Sequence, residues 1–132
     1  MQRRGIEFGA HTLTHPDLTR LSAAQVAIEM SASKDRIEES LGTPVTSFAY
    51  PFGRYDAQSR RIAQEYFGCA CADTLGLLSS RSDPYALERV DAYYLRTSRL
   101  FALMVSELFP WYVVARNIPR RLRRALQRRG RS

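Results

Sequence analysis

The chain has 132 residues, 45% hydrophobic and 25% charged, a composition that fits one folded domain and excludes a disordered or collagen-like polymer. Its net charge of +7 is uneven, because residues 1–115 hold 12 basic and 13 acidic side chains, whereas residues 116–132 hold eight arginines and no acid. The longest apolar run, over 100–114, is interrupted by Ser106, Glu107 and Pro110 and falls short of the roughly 18 residues of a membrane-spanning helix.

In chain order, residues 5–10 alternate apolar with other residues and predict a short first strand. Pro16 marks a loop after it. Ser22 with Gln25 three residues on has the form of a capping box. Val26, Met30, Ile37 and Leu41 then recur at helical spacing until Gly42 and Pro44 stop the helix. Residues 45–50 predict a second strand, closed by Pro51-Phe52-Gly53. Asp56 begins a second helix that carries Ile62, Ala63, Tyr66 and Phe67 and ends at Gly68. A third strand is expected over 69–72, a loop over 75–86, and a fourth strand over 90–95. A last helix should run from a cap at Thr97 or Ser98 to Phe109. Strand alternating with helix is the pattern of an α/β protein with parallel strands.

Cys69 and Cys71 are alternate residues of a strand, about 7 Å apart, too far for an easy disulfide. They read as small buried thiols and fix no compartment. The only two histidines lie four apart in His11-Thr12-Leu13-Thr14-His15, just after the first strand. Ligand sites of parallel α/β folds sit at such strand ends. Two imidazoles on one tight loop suit a shared divalent ion, with the Thr12 and Thr14 hydroxyls available to orient them. The alternative is a pair of solvated loop residues. Phe48-Ala49-Tyr50-Pro51-Phe52-Gly53 is a stiff turn at a second strand end, able to aim backbone N–H groups at an oxyanion, or else a plain strand-to-helix turn.

Taken together, residues 5–18, the capped helix, Gly42-Thr43-Pro44-Val45 and the Tyr50-Pro51-Phe52-Gly53 turn resemble the polysaccharide deacetylase (NodB-homology) family. The resemblance covers roughly residues 5–95. It implies a distorted (β/α) barrel, here partial and lacking its first strand segment. It also implies metal-dependent removal of N-acetyl, sometimes O-acetyl, groups from a carbohydrate polymer, an N-acetylated polysaccharide or glycan being the substrate. By the same resemblance His11 and His15 are metal ligands, with Zn2+ the expected ion, and Thr12 braces their loop. Tyr50, Pro51 and Phe52 line the substrate, the Phe52 N–H helps hold the oxyanion, and Arg89 in Glu88-Arg89-Val90 approaches the active site.

The chain departs from that family at defined places. It has no Asp-Asp pair, which would supply the general base and the third ligand, and no third histidine to serve as a general acid. Ala49 stands where other members carry arginine. Asp17, Asp56 and Asp73 are the available carboxylates, each also readable as a turn or cap residue. A chain lacking its opening segment and a non-catalytic relative that binds glycan or an anionic surface both accommodate these gaps. The first predicts poor solubility or self-association.

The organisation expected is a deacetylase-like domain over 1–115 and an arginine-rich amphipathic tail over 116–132. In the tail Ile118, Leu122 and Leu126 recur every four residues among arginines. That stripe fits either docking of Ile118 and Leu122 on the domain or an anionic membrane surface, with Trp111 and Tyr112 at the lipid interface. No nucleic-acid-binding motif accompanies the arginines, so nucleic acid is not the expected partner. The start of the chain has no apolar stretch of the secretory type, and the sequence leaves the compartment unknown, cytoplasmic or peripheral to the cell envelope.

Overall fold

The structure, a computed structural model, describes residues 5–91 and 96–118. They fall into two compact units, one within Met1–Thr74 and Leu78–Arg89, the other within Leu75–Leu77 and Val90–Ser132.

In the first unit, helix α1 (Ala23–Leu41) begins at the capping box expected from its sequence, with the Gln25 N–H donating to the Ser22 hydroxyl and the Gln25 side chain accepting from the Ser22 N–H. It ends at Gly42, whose φ of +67° lets its N–H return to the Glu38 carbonyl at 2.7 Å. Glu38 then ties the helix end to the following strand. Its Oε1 accepts from Lys34 Nζ at 2.6 Å and from the Val45 N–H at 2.7 Å, while Lys34 also donates to the Val45 carbonyl.

Strand β1 (Ser47–Ala49) leads through a 3-10 turn, Pro51–Gly53, into α2 (Ala57–Tyr66). The start of α2 is fixed by reciprocal bonds between Asp56 and Ser59. Strand β2 (Cys69–Leu75) runs parallel to β1 with Phe48 opposite Ala70, and β3 (Leu87–Arg89) completes the sheet order β1-β2-β3. On the far side of β1, Ala10 forms a single parallel bridge to Phe48.

Ala10, Phe48 and Ala70 thus make one row across the sheet, and all three are buried. Val26 and Met30 of α1 and Ile62 and Ala63 of α2 cover that row, with Phe48 stacked on Phe67 at 4.9 Å between ring centroids. Ala70 and Ala72 occupy the core side of β2, so Cys69 and Cys71, expected to be buried, stand half-exposed on its other face.

The α/β alternation is the one expected, with differences at both ends. The expected strand over 5–10 is reduced to the bridge at Ala10, which pairs with Phe48 of β1. The expected fourth strand lies earlier, at Leu87–Arg89. Val90 and Asp91 are outside it, and residues 92–95 are not described. Among the described residues the sheet has three strands and is open.

In the second unit, the helix expected to run to Phe109 stops at Met104, and a further helix begins at Phe109. Helix α3 (Ser98–Met104) is capped by Thr97, and α4 (Phe109–Ile118) follows at a bend of 101°. The break falls where the Ser106 hydroxyl donates back to the Leu103 carbonyl at 2.7 Å. Pro110 occupies the first turn of α4, where a missing N–H is tolerated. Phe109 and Val113 are buried with Leu75, and Asn117 Nδ2 donates to the Leu75 carbonyl at 2.8 Å. Ile118 does not dock on this cluster and is 53% exposed. Leu122 and Leu126 lie outside the described residues. No single described helix is long and apolar enough to cross a membrane.

Phe48→Ala should lower stability by about 3–5 kcal/mol in urea unfolding, because it removes the ring that α1, α2 and Phe67 close on.

Candidate functional site

The bridge at Ala10 brings the two sequence motifs together. Ala10 donates to the Ser47 carbonyl and accepts from the Ala49 N–H, both at 2.9 Å. The next residue, His11, then reaches the Ala49 carbonyl with Nδ1 at 2.7 Å. A carbonyl only accepts, so Nδ1 carries a proton, and whenever the ring is neutral its lone pair lies on Nε2. The ring of His15 sits edge-on to His11 at 4.8 Å between centroids and edge-on to Phe52 at 4.7 Å. The structure therefore gathers His11, His15 and Phe52 into one exposed cluster.

The backbone there is strained. Among the described residues, the non-glycine positions with positive φ are Thr12, His15 and Phe52, at +63°, +60° and +56°. All three belong to this cluster, and such conformations cost about 1 kcal/mol or more each. The surrounding bonds over-determine them. The Thr12 hydroxyl donates to the His11 carbonyl and accepts from the His15 N–H at 3.1 Å, so it clamps the two histidine backbones to each other. The sequence suggests that the Thr12 and Thr14 hydroxyls orient the imidazoles; instead they bond to the His11 carbonyl and to Glu29, and the Ala49 carbonyl orients the His11 ring.

Glu29, on the flank of the buried stripe of α1, holds the middle of the loop. Its Oε2 accepts from the Leu13 and Thr14 N–H groups at 2.8 and 2.9 Å, and its Oε1 from the Thr14 hydroxyl at 2.6 Å. Partial burial pushes the Glu29 carboxyl up, but the bonds from Thr14 and Leu13 outweigh it and hold the group below the usual glutamate range. Sequence reasoning missed this residue. The available signal was a carboxylate three positions after Val26, beside the core-facing stripe.

The Pro51–Gly53 turn is fixed as tightly. The Gly53 and Arg54 N–H groups return to the Tyr50 and Pro51 carbonyls, so the turn's own bonds leave the Phe52 N–H unused. Gly53 has φ of +61°, and a Cβ there would lie 2.1 Å from Asp73 Cβ and 2.4 Å from the Asp73 backbone nitrogen. Only glycine lets β2 approach this closely.

The other candidate residues divide. Phe52 is 57% exposed, whereas Tyr50 and Pro51, expected with it to line the substrate, are buried. The Tyr50 hydroxyl donates to the Tyr85 carbonyl at 2.9 Å, and burial pushes its ionisation far above the ordinary phenol value. Its side chain therefore serves the core. Arg89 ends β3, on the far side of the sheet order from the Ala10 bridge, and is not gathered into the cluster. Asp17 accepts from the Thr19 N–H and hydroxyl and from Arg54 Nη1 at 2.9 Å. The Thr19 hydroxyl first, and then Arg54, hold its carboxyl low. Asp56 is the cap of α2. Asp73 is exposed on β2 beside Gly53.

A neutral imidazole with Nδ1 fixed by a carbonyl is the form in which histidine binds a divalent ion, so His11 and His15 fit as two members of a ligand set. Catalytic zinc sites use three protein ligands. Among the described residues no third His, Cys, Asp or Glu joins the pair.

Comparison with known proteins agrees with the motifs. The family model for polysaccharide deacetylase matches residues 1–67. YxkH of Bacillus subtilis strain 168, named as a polysaccharide deacetylase, is 30% identical over 91 residues, 68% of this chain and 33% of that protein. Among solved structures, a polysaccharide deacetylase from Bacillus cereus superposes with a TM-score of 0.71 at 26% identity, over 80% of this chain and 34% of that one. The Streptococcus pyogenes deacetylase PplD, in complex with acetate, gives 0.65 at 30% identity, over 67% and 40%. The chain thus spans about a third of the length of its curated relative.

Glu29→Gln should lower stability by about 1–2 kcal/mol, since it replaces charge-assisted bonds with weaker ones. Because the folded carboxyl titrates below its ordinary value of about 4.3, the stabilisation it gives is present above that value. It is lost as pH falls through the lower folded value. The variant should therefore lose less stability than the parent between about pH 5 and pH 3. Gly53→Ala should cost more than about 2 kcal/mol, through both the clash with Asp73 and the strained φ.

Proposed function

Because this chain belongs to the polysaccharide deacetylase family, we propose that its His11–His15–Phe52 cluster is the corresponding part of a deacetylase site. Its ligand would be an acetylated carbohydrate polymer, N-acetylated first of all, and its fold would form part of a distorted (β/α) barrel. The observation that carries this reading is the bond from His11 Nδ1 to the Ala49 carbonyl, which leaves the lone pair for a metal ion on Nε2, beside the edge-on ring of His15.

The proposed roles follow from position. His11 and His15 would hold a divalent ion, Zn2+ above all, whose chemistry is to polarise an acyl oxygen and acidify water. Thr12 and Glu29 would hold the backbone of the histidine loop in place, through the His15 N–H and the Leu13 and Thr14 N–H groups. The Phe52 N–H, unused by its own turn, can donate to an oxygen that gains negative charge. The exposed Phe52 ring offers an apolar face to a sugar.

One observation favours a second reading, a non-catalytic relative that binds glycan without cleaving it. The described residues place no carboxylate with the two histidines to take a proton from water.

Zn2+ titration by calorimetry should show one site, weakened at least about tenfold in His11→Ala and in His15→Ala, with both variants still folded by circular dichroism. The full chain should then be incubated with an N-acetylated glucosamine oligomer and zinc. Released acetate supports the deacetylase reading, whereas oligomer binding without acetate supports the second. Failure to bind Zn2+ removes the metal assignment.

A further inference from the structure

Helix α4 has apolar residues on two opposite sides. One side, Phe109 and Val113 with Asn117, is held on Leu75. At 100° per residue, Trp111, Val114 and Ile118 fall on the other side, and they are 74%, 58% and 53% exposed. Val105 and Leu108, just before the helix, are 65% and 66% exposed. A helix packed on one face ordinarily turns charge to solvent on the other. Here the solvent side carries the chain's single tryptophan and two branched aliphatics.

We propose that this face of α4 docks on the anionic surface of a lipid bilayer, with the helix lying in the headgroup plane. Charge selects the occupant. Residues 119–132, which continue directly from Ile118, hold seven arginines and no acid, and Glu107 is the one acid over 96–118. An apolar stripe beside concentrated arginine is the chemistry of an interfacial anchor, and tryptophan at the edge of the stripe suits the headgroup level. A second copy of this chain would bring two arginine runs together, which repel. A nucleic acid would engage the arginines and leave the apolar stripe in water. No single described helix is long and apolar enough for a straight span, which takes roughly 20 residues.

Trp111 is also the reporter. Its fluorescence in the full chain should shift to shorter wavelength on adding phosphatidylglycerol–phosphatidylcholine vesicles and stay unchanged with phosphatidylcholine alone. About 1 M salt, where screening acts within about 3 Å, should reverse the shift. The double variant Val114→Asp, Ile118→Asp keeps the tryptophan and alters only exposed positions. It should weaken partitioning at least about tenfold. Replacing Arg120, Arg121, Arg123 and Arg124 by glutamine should do the same, with helix content by circular dichroism unchanged in both. The proposal fails if anionic vesicles give no shift, or if either variant partitions like the parent. It also fails if the shift arises from raising protein concentration without vesicles, the signature of a second copy, or from duplex DNA in their place.

Discussion

The parallel bridge between Ala10 and β1 is the contact on which the rest of the site depends. It consists of two backbone hydrogen bonds, from the Ala10 N–H to Ser47 and from the Ala49 N–H to Ala10. Strand pairing fixes position to within a residue, because a slip of one would turn every side chain to the opposite face. With Ala10 in register, its methyl joins Phe48 and Ala70 in the buried row, and His11 falls on the Ala49 carbonyl. The same register sets the His loop beside the Pro51–Gly53 turn, so that His15 meets Phe52.

Around that anchor the protein concentrates its backbone strain. Thr12, His15 and Phe52 hold left-handed conformations that none would adopt readily alone. Three kinds of restraint keep them there: Thr12 spanning the two histidines, the Glu29 carboxylate gripping Leu13 and Thr14, and the contact of Gly53 with β2. The Asp17–Arg54 pair adds an exposed link from the His segment to the turn, a weaker contribution because water and salt screen it. These restraints hold the His11 and His15 rings and the Phe52 backbone in one fixed arrangement.

Much of this was legible in the sequence where the signal is local. Ser22 with Gln25 and Gly42 mark the ends of α1 because capping geometry depends on residues within one turn. The His motif and the Tyr50-Pro51-Phe52-Gly53 turn are likewise read directly, and the structure brings them together at His15 and Phe52. What local signals missed depends on partners far along the chain. Residues 5–10 have strand-like alternation, but of that segment only Ala10 bridges β1. The helix expected to Phe109 breaks where Ser106 bonds to its own backbone, a choice that periodicity does not register. Tyr50 reads like a surface aromatic of the turn, yet it is buried beneath Tyr85, 35 residues later.

The sequence by itself determined the family, the α/β alternation, the histidine pair and the division of charge between a near-neutral body and an arginine-rich end. Each follows from residue identity and short spacing, which fix backbone preference and side-chain chemistry without reference to distant contacts. Only the tertiary structure decided which of these residues meet. It assigned the His11 proton to Nδ1, made Glu29 the clamp of the loop, and moved Tyr50 into the core. It also turned Trp111, Val114 and Ile118 away from Leu75. The reason is physical: hydrogen-bond satisfaction and burial are settled between segments tens of residues apart, and local preference alone does not select among the possible partners.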